Sequence, residues 1–283
     1  MSERPLFVGC ACDRKFAEPT ATMLTSLDVN GEIPEATIIV AGFDLSDEDR
    51  AILCAGAGNR RVLFADITRE RLHQVDRGRY TDEYPLPVLG RLFVADYVDQ
   101  PGARLVTLDS DMIVNASFRP LVDRDLGAEY FAAIHDPPRV NDRTYFNSGL
   151  TMFDVDSYKR YDVGNRCLSW LASAENHPHF PDQDALNVIV GHSWHRLART
   201  WNYFCYNNAG FTLEDLETCK VAHFAGPKPW DDLNHTAFSL YRRYLDELHR
   251  RVKAPSIPIF PPVKAAGPAG IVDKLRARFR QRK

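Results

Sequence analysis

Along the first hundred residues, apolar runs of strand length alternate with stretches of helical spacing. Leu6 to Cys12 predicts a strand, and Thr20 to Val29 carries Met23, Leu24 and Leu27 at the three- and four-residue spacing of a helix. Ala36 to Val40 predicts a second strand. Ser46, followed three residues later by Asp49, is a capping pair that opens a helix before Ala51-Ile52-Leu53. Arg61 to Ala65 is a third strand. Beyond a polar, aromatic loop from Arg77 to Tyr84, Val88 to Val98 reads as a helix that delivers the chain to the apolar strand Ala103 to Leu108. Such alternation predicts an α/β domain with a mostly parallel sheet covered on both faces.

The second half is less regular. Strands are expected at Tyr130 to Ile134, Gly149 to Phe153 and Lys220 to Phe224, with helices near Asp156 to Ala172 and Ala237 to Val252. No internal repeat is visible. Prolines 255, 258, 261, 262 and 268 make 254–270 a linker between the domain, 1–253, and a basic segment, 271–283. In that last segment Ile271, Val272, Leu275 and Phe279 line one side of an amphipathic helix whose other faces are basic, a pattern suited to an anionic membrane.

With 283 residues, 45% of them hydrophobic and 26% charged, the chain has the composition of an ordinary globular protein. A formal charge of −3 implies no general field for nucleic acid. No secretory signal is expected, and no run approaches the roughly 18 apolar residues of a spanning helix. Cysteines at 10, 12, 54, 167, 205 and 219 form no Cys-x-x-Cys pair, which predicts reduced core thiols and a cytoplasmic protein.

Candidate chemistry starts where the strand Ala103 to Leu108 ends in Asp109-Ser110-Asp111. Asp-x-Asp recurs at 47/49, 123/125, 154/156 and 182/184, but only the pair at 109 and 111 directly follows an apolar strand. Strand carboxyl ends are where open α/β sheets bind ligands, and two such carboxylates suit Mg²⁺ or Mn²⁺. His223, at another strand end, offers a nitrogen that suits Mn²⁺ better than Mg²⁺. It opens His223-Phe224-Ala225-Gly226-Pro227-Lys228-Pro229-Trp230, where Lys228 could neutralise a phosphate; the alternative is a Pro-Gly surface loop. Phe146-Asn147-Ser148-Gly149 offers neutral hydrogen bonds to a sugar or is simply a turn before a strand. Asp182-Gln183-Asp184-Ala185-Leu186-Asn187 enters a helix, with Asp182 either functional or its cap.

Taken together and in this order, these four motifs resemble glycosyltransferase family 8, which includes glycogenin, galactinol synthase and bacterial lipopolysaccharide glycosyltransferases. The resemblance spans roughly residues 5 to 250. It implies a GT-A fold, built on a single Rossmann-like sheet, and retaining transfer of galactose or glucose from a UDP-hexose to a saccharide, lipid-linked or protein hydroxyl. It further implies Mn²⁺ held by Asp109, Asp111 and His223, with Lys228 facing the diphosphate. Donor contacts carried over are Ala11, Asp13, Arg91, Ser110, Asn147, Ser148 and Gly226, and Asp182 and Gln183 fall beside the reacting carbon. Two departures stand out. The usual HxxGxxKPW is here HxxGxKPW, one residue short, and Cys12 occupies a position that is polar in many members. The alternatives are a catalytically silent nucleotide-sugar-binding protein of the same fold and a sugar nucleotidyltransferase. The second would need a glycine-rich phosphate loop, and Gly9-Cys10-Ala11-Cys12-Asp13 is not one.

Overall fold

Leu6–Asp13 (β1), Thr37–Phe43 (β2) and Val62–Asp66 (β3) are joined by the helices Ala17–Asn30 (α1) and Asp47–Ala57 (α2), as the alternation predicts. The computed structural model describes residues 4–68, 71–72, 75, 86–136, 144–205, 211–232 and 234–253. The loop Arg77 to Tyr84, the linker 254–270 and the basic segment 271–283 lie outside the described residues. Ser46 caps α2 reciprocally with Asp49, each side chain bonding the other's backbone N–H.

The remaining strands are Arg104–Leu108 (β4), Met112–Val114 (β5), Phe131–His135 (β6), Phe146–Asp154 (β7), His195–Arg196 (β8), Tyr203–Phe204 (β9) and Val221–His223 (β10). A seven-stranded sheet has the order β3-β2-β1-β4-β7-β6-β8. It is parallel except at β7, which runs antiparallel to both β4 and β6. Beside it lies a three-stranded sheet of order β5-β10-β9. Helices Arg119–Val122 (α3), Val155–Arg160 (α4), Val163–Ala172 (α5), Pro181–Val190 (α6), Leu213–Thr218 (α7) and Phe238–Val252 (α8) complete the fold.

Burial explains where the observed elements depart from the expected ones. Leu86–Tyr97 is helical but winds as 3₁₀ turns. Leu92, Phe93, Val94 and Ala95 are all buried, so no apolar stripe distinguishes one helix type from the other. The expected helix Asp156 to Ala172 is two helices, α4 and α5, broken at Asp162, whose φ of 50° is left-handed. Aspartate tolerates that conformation, and its Oδ1 accepts a 2.7 Å bond from Asn165 Nδ2. The expected strand Gly149 to Phe153 begins earlier, at Phe146, so Asn147 and Ser148 belong to β7 rather than to a turn before it.

Helix α1 is enclosed by the sheet, α2 and α8. Its buried Thr22 and Thr25 hydroxyls donate to carbonyls four residues back, at 2.9 and 2.8 Å, so no donor is stranded. Asn30 Nδ2 reaches Tyr244 Oη at 2.7 Å and Arg251 pairs with Asp28 at 2.8 Å, tying α8 across the first helix. Helices α1 and α2 touch at Gly56, where a Cβ would lie 2.3 Å from the Ala21 carbonyl oxygen. Because that neighbour is backbone and cannot turn away, Gly56→Val is expected to destabilise the chain by about 1–3 kcal/mol in chemical denaturation.

Candidate active site

The carboxyl ends of β1 and β4 meet at the topological switch point of the large sheet, since β1 has β2 on one side and β4 on the other. Asp109-Ser110-Asp111 is the link by which the chain leaves β4 and enters the small sheet as β5. Both ends of that link are pinned: Asp109 N–H donates to Gly149 O in β7 at 2.9 Å, and Asp111 O accepts from Phe224 N–H at 2.9 Å. The antiparallel register of β5 and β10 pairs Met112 with His223. His223 Nε2 therefore lies 3.5 Å from Asp109 Oδ2 and 3.4 Å from Asp111 Oδ1. One ligand atom from each of the three residues falls within 4.8 Å of the others. Two carboxylates and an imidazole nitrogen at this separation form a donor set that fits a divalent cation such as Mn²⁺.

Each aspartate also carries a cation. Arg91, buried, pairs with Asp109 and with Asp182 Oδ2 at 3.3 Å, and bonds Ser148 O at 2.7 Å. Lys228 Nζ bonds Asp111 Oδ2 and Phe224 O. Burial pushes the Asp111 carboxyl upward, but its neighbours His223 and Lys228 outweigh it and hold the group well below the usual carboxylate range.

A cavity of about 360 Å³ opens from this cluster. At one end stand Ala11, Cys12 and Asp13 of β1 with Phe16, and Ser110 Oγ donates to Ala11 O at 3.0 Å. Burial pushes the Cys12 thiol up to about 12, so it is a neutral wall. All six cysteines are free and buried, as expected.

At the other end a polar set joins β7 to the first turn of α6. Gln183 Oε1 accepts from Ser148 N–H at 3.0 Å and Asn147 Nδ2 at 2.9 Å, and Gln183 Nε2 donates to Asp136 Oδ2 at 3.0 Å. Asp182 does not cap the helix: its Oδ2 accepts from Ser148 Oγ at 3.1 Å beside Arg91. Asp184 instead accepts from the backbone N–H groups of His179 and Phe180, at 2.7 and 2.9 Å, and from Tyr145 Oη. Burial first, then that bond to Asp184, raise the Tyr145 phenol far above its ordinary value, so it remains a donor.

Of the expected site residues, Ala11, Asp13, Arg91, Asp109, Ser110, Asp111, Asn147, Ser148, Asp182, Gln183, His223 and Lys228 all line the cavity. Gly226 does not, although its neighbours Ala225 and Lys228 do. The sequence reading missed Asp136, Phe16, Pro87, Val88 and Phe180, which also line it, and Asn202, which bonds His223 Nδ1 at 2.7 Å. Asp136 follows β6 as Asp109 follows β4, so the strand-end rule could have found it. Nothing local marks Asn202.

A family model described as glycosyl transferase family 8 matches residues 8–234. Among curated relatives, glycosyltransferase GlyB of Streptococcus pneumoniae is 28% identical over 160 residues, 52% of this chain and 39% of that protein. The lipopolysaccharide 1,3-galactosyltransferase of Salmonella typhimurium is 23% identical over 210 residues, 66% of this chain and 61% of that one. This chain thus spans well under two thirds of the length of GlyB. The solved structure of galactosyltransferase LgtC with donor and acceptor sugar analogs superposes with a TM-score of 0.70 at 21% identity, covering 90% of this chain and 98% of that one. At that identity the likeness concerns the fold, which is the GT-A architecture that the motifs imply.

Gly149 leaves room for the imidazole: a Cβ there would lie 2.6 Å from His223 Cε1 and 2.8 Å from Met112 Cε. Gly149→Ala is accordingly expected to push His223 off the two carboxylates. Calorimetric titration with Mn²⁺ alone should show affinity lower by about tenfold or more, the scale on which disturbed support of a metal ligand is felt.

Proposed function

This chain belongs to glycosyltransferase family 8, and from that membership and the site geometry we propose that it is a retaining hexosyltransferase that uses a UDP-sugar and Mn²⁺. The observation that carries the reading is the Asp109, Asp111 and His223 cluster, which faces a cavity whose far end is a neutral amide set. Asp109 and Asp111 oxygens and His223 Nε2 would hold the metal. When bound, the ion supplies Lewis-acid stabilisation of the departing diphosphate. Lys228 lies where it can exchange Asp111 for a phosphate oxygen, despite the shortened loop. Arg91 commits its two terminal nitrogens to Asp109, Asp182 and Ser148, so its part is to hold the carboxylates in place beneath the donor.

Retention follows most simply from attack by the acceptor hydroxyl on the face that the diphosphate leaves. Gln183 is a neutral amide whose oxygen already accepts two hydrogen bonds, and Asp182 is engaged by Arg91 and Ser148. Neither is presented as a free nucleophile, which favours front-side attack with both as positioning groups. The nucleotidyltransferase alternative is disfavoured because residues 9–13 are extended strand β1 and not a phosphate loop.

Galactose or glucose is the proposed hexose, and a lipid-linked saccharide of the cell envelope the proposed acceptor. Relatives named as lipopolysaccharide glucosyl- and galactosyltransferases support both. Among the described residues no helix is long and apolar enough to cross a membrane. Attachment to the inner face of an anionic membrane is assigned to residues 271–283, on their sequence pattern.

Hydrolysis of UDP-galactose or UDP-glucose is expected with Mn²⁺ and not with EDTA, and Asp111→Asn should lower turnover by about 10²-fold or more. Undiminished activity in EDTA would overturn the metal assignment. For the membrane assignment, vesicles rich in anionic lipid should sediment the full chain at low salt and release a chain ending at Gly270. Equal sedimentation of both would remove that role from the segment.

A further inference from the structure

We infer that Asn202 is a positioning residue that joins the metal-facing His223 and the amide set around Gln183 into one directed hydrogen-bond relay. The direction follows from backbone groups, which leave no freedom in naming donors. A backbone N–H only donates, so the Gly149 N–H, 2.9 Å from Asn147 Oδ1, identifies that atom as oxygen. The Ser148 N–H does the same for Gln183 Oε1 at 3.0 Å. Asn147 Nδ2 must then donate to Gln183 Oε1, and Gln183 Nε2 to Asp136 Oδ2.

Followed the other way, Asn147 Oδ1 accepts from Asn202 Nδ2 at 2.7 Å. That turns Asn202 Oδ1 toward His223 Nδ1, also at 2.7 Å. An amide oxygen cannot donate, so Nδ1 carries the proton and, in the neutral ring, Nε2 carries the lone pair. Nε2 is the atom facing Asp109 and Asp111. The tautomer that a metal requires is therefore set by a chain of amides whose polarity the Gly149 N–H fixes.

Asn202 is placed for this by the small sheet and sealed from water. It is 0% exposed, its N–H bonds Arg199 O at 3.1 Å, and it immediately precedes β9, which pairs Tyr203 with Ala222 and Phe204 with His223. Reversing one amide would set donor against donor or oxygen against oxygen at the next link, so the relay keeps a single polarity. Loss of Asn202 should consequently be felt at both ends, as weaker metal binding and as misplacement of Gln183.

The inference rests on the metal-dependent transferase reading, and the wild-type arm of its test examines that reading alone. Full-length wild type, Asn202→Leu and Asn202→Asp would be titrated with Mn²⁺ alone by calorimetry and electron paramagnetic resonance. The same proteins would be assayed for UDP-galactose and UDP-glucose hydrolysis, with folding followed by thermal denaturation. Asn202→Leu should weaken Mn²⁺ binding by about 10- to 100-fold. In Asn202→Asp a carboxylate oxygen still accepts from Nδ1–H but its partner meets Asn147 Oδ1 without a proton, so Mn²⁺ affinity should stay within about threefold while kcat falls about tenfold or more.

That split is something a merely structural role would not produce. Unchanged Mn²⁺ affinity in a folded Asn202→Leu overturns the inference, as does an Asn202→Asp protein that loses affinity and turnover in parallel or loses neither. Where Asn202→Leu does not fold, the Asn202→Asp split decides. A wild-type chain that binds no Mn²⁺ would overturn the transferase reading itself, and the role of Asn202 with it.

Discussion

The structure depends on keeping several carboxylates together in a half-buried cavity. Asp13, Asp109, Asp111, Asp136 and Asp182 line it, against the cations Arg91 and Lys228. Like charges taken out of water repel one another and lose hydration, so the cluster persists only where each member is paired or hydrogen-bonded. Arg91 bridges Asp109 and Asp182, Lys228 sits on Asp111, and Asp136 accepts from the Gln183 amide. The lining still carries more negative charge than positive. That surplus repels an anionic donor unless a cation lies between, which is why the charge balance favours a metal at Asp109, Asp111 and His223.

The fold supplies the convergence without any strained backbone in these residues. Strand β4 ends at the switch point of a large sheet, and β5, two aspartates later, is already hydrogen-bonded to β10 in a small one. The three-residue link has its first member bonded to β7 and its last to the residue after β10, so two sheets fix the separation of the carboxylates. Precision of this kind comes from regular elements rather than from loop conformation. Gly149 completes it, since a Cβ there would lie 2.6 Å from His223 Cε1.

What the sequence disclosed divides along the same lines. The first three strands and two helices were legible because apolar runs, a capping pair and helical spacing are local signals, and Ser46 with Asp49 forms the reciprocal cap they suggest. The four motifs were legible because each holds its chemistry in consecutive residues. Phe146 to Gly149 allowed a turn since Asn, Ser and Gly favour turns, yet pairing of Phe146 and Asn147 with β6, across a register shift, extends the strand beyond the end of its pairing with β4. The 3₁₀ segment was hidden by the burial of four consecutive residues, Leu92 to Ala95, and the break at Asp162 by a single residue in a left-handed conformation. Asn202 was invisible because its meaning arises from three distant segments brought together by a parallel pairing of two residues each.

The distribution of charge along the cavity then follows from what each end would hold. Charged pairs gather where β4, β10 and the Lys228 loop meet, the end suited to a diphosphate and an ion. Amides and hydroxyls gather where β7 meets α6, the end suited to a sugar, whose hydroxyls are neutral and are best distinguished by donors and acceptors of fixed direction. The carboxylates on that side are engaged within the protein, Asp182 by Arg91 and Asp136 by the Gln183 amide, so they orient their neighbours. His223 stands on the boundary, one nitrogen toward each region. Its imidazole can serve both because the two nitrogens differ in protonation, and that difference is fixed by the amide side of the cavity rather than by the charged one.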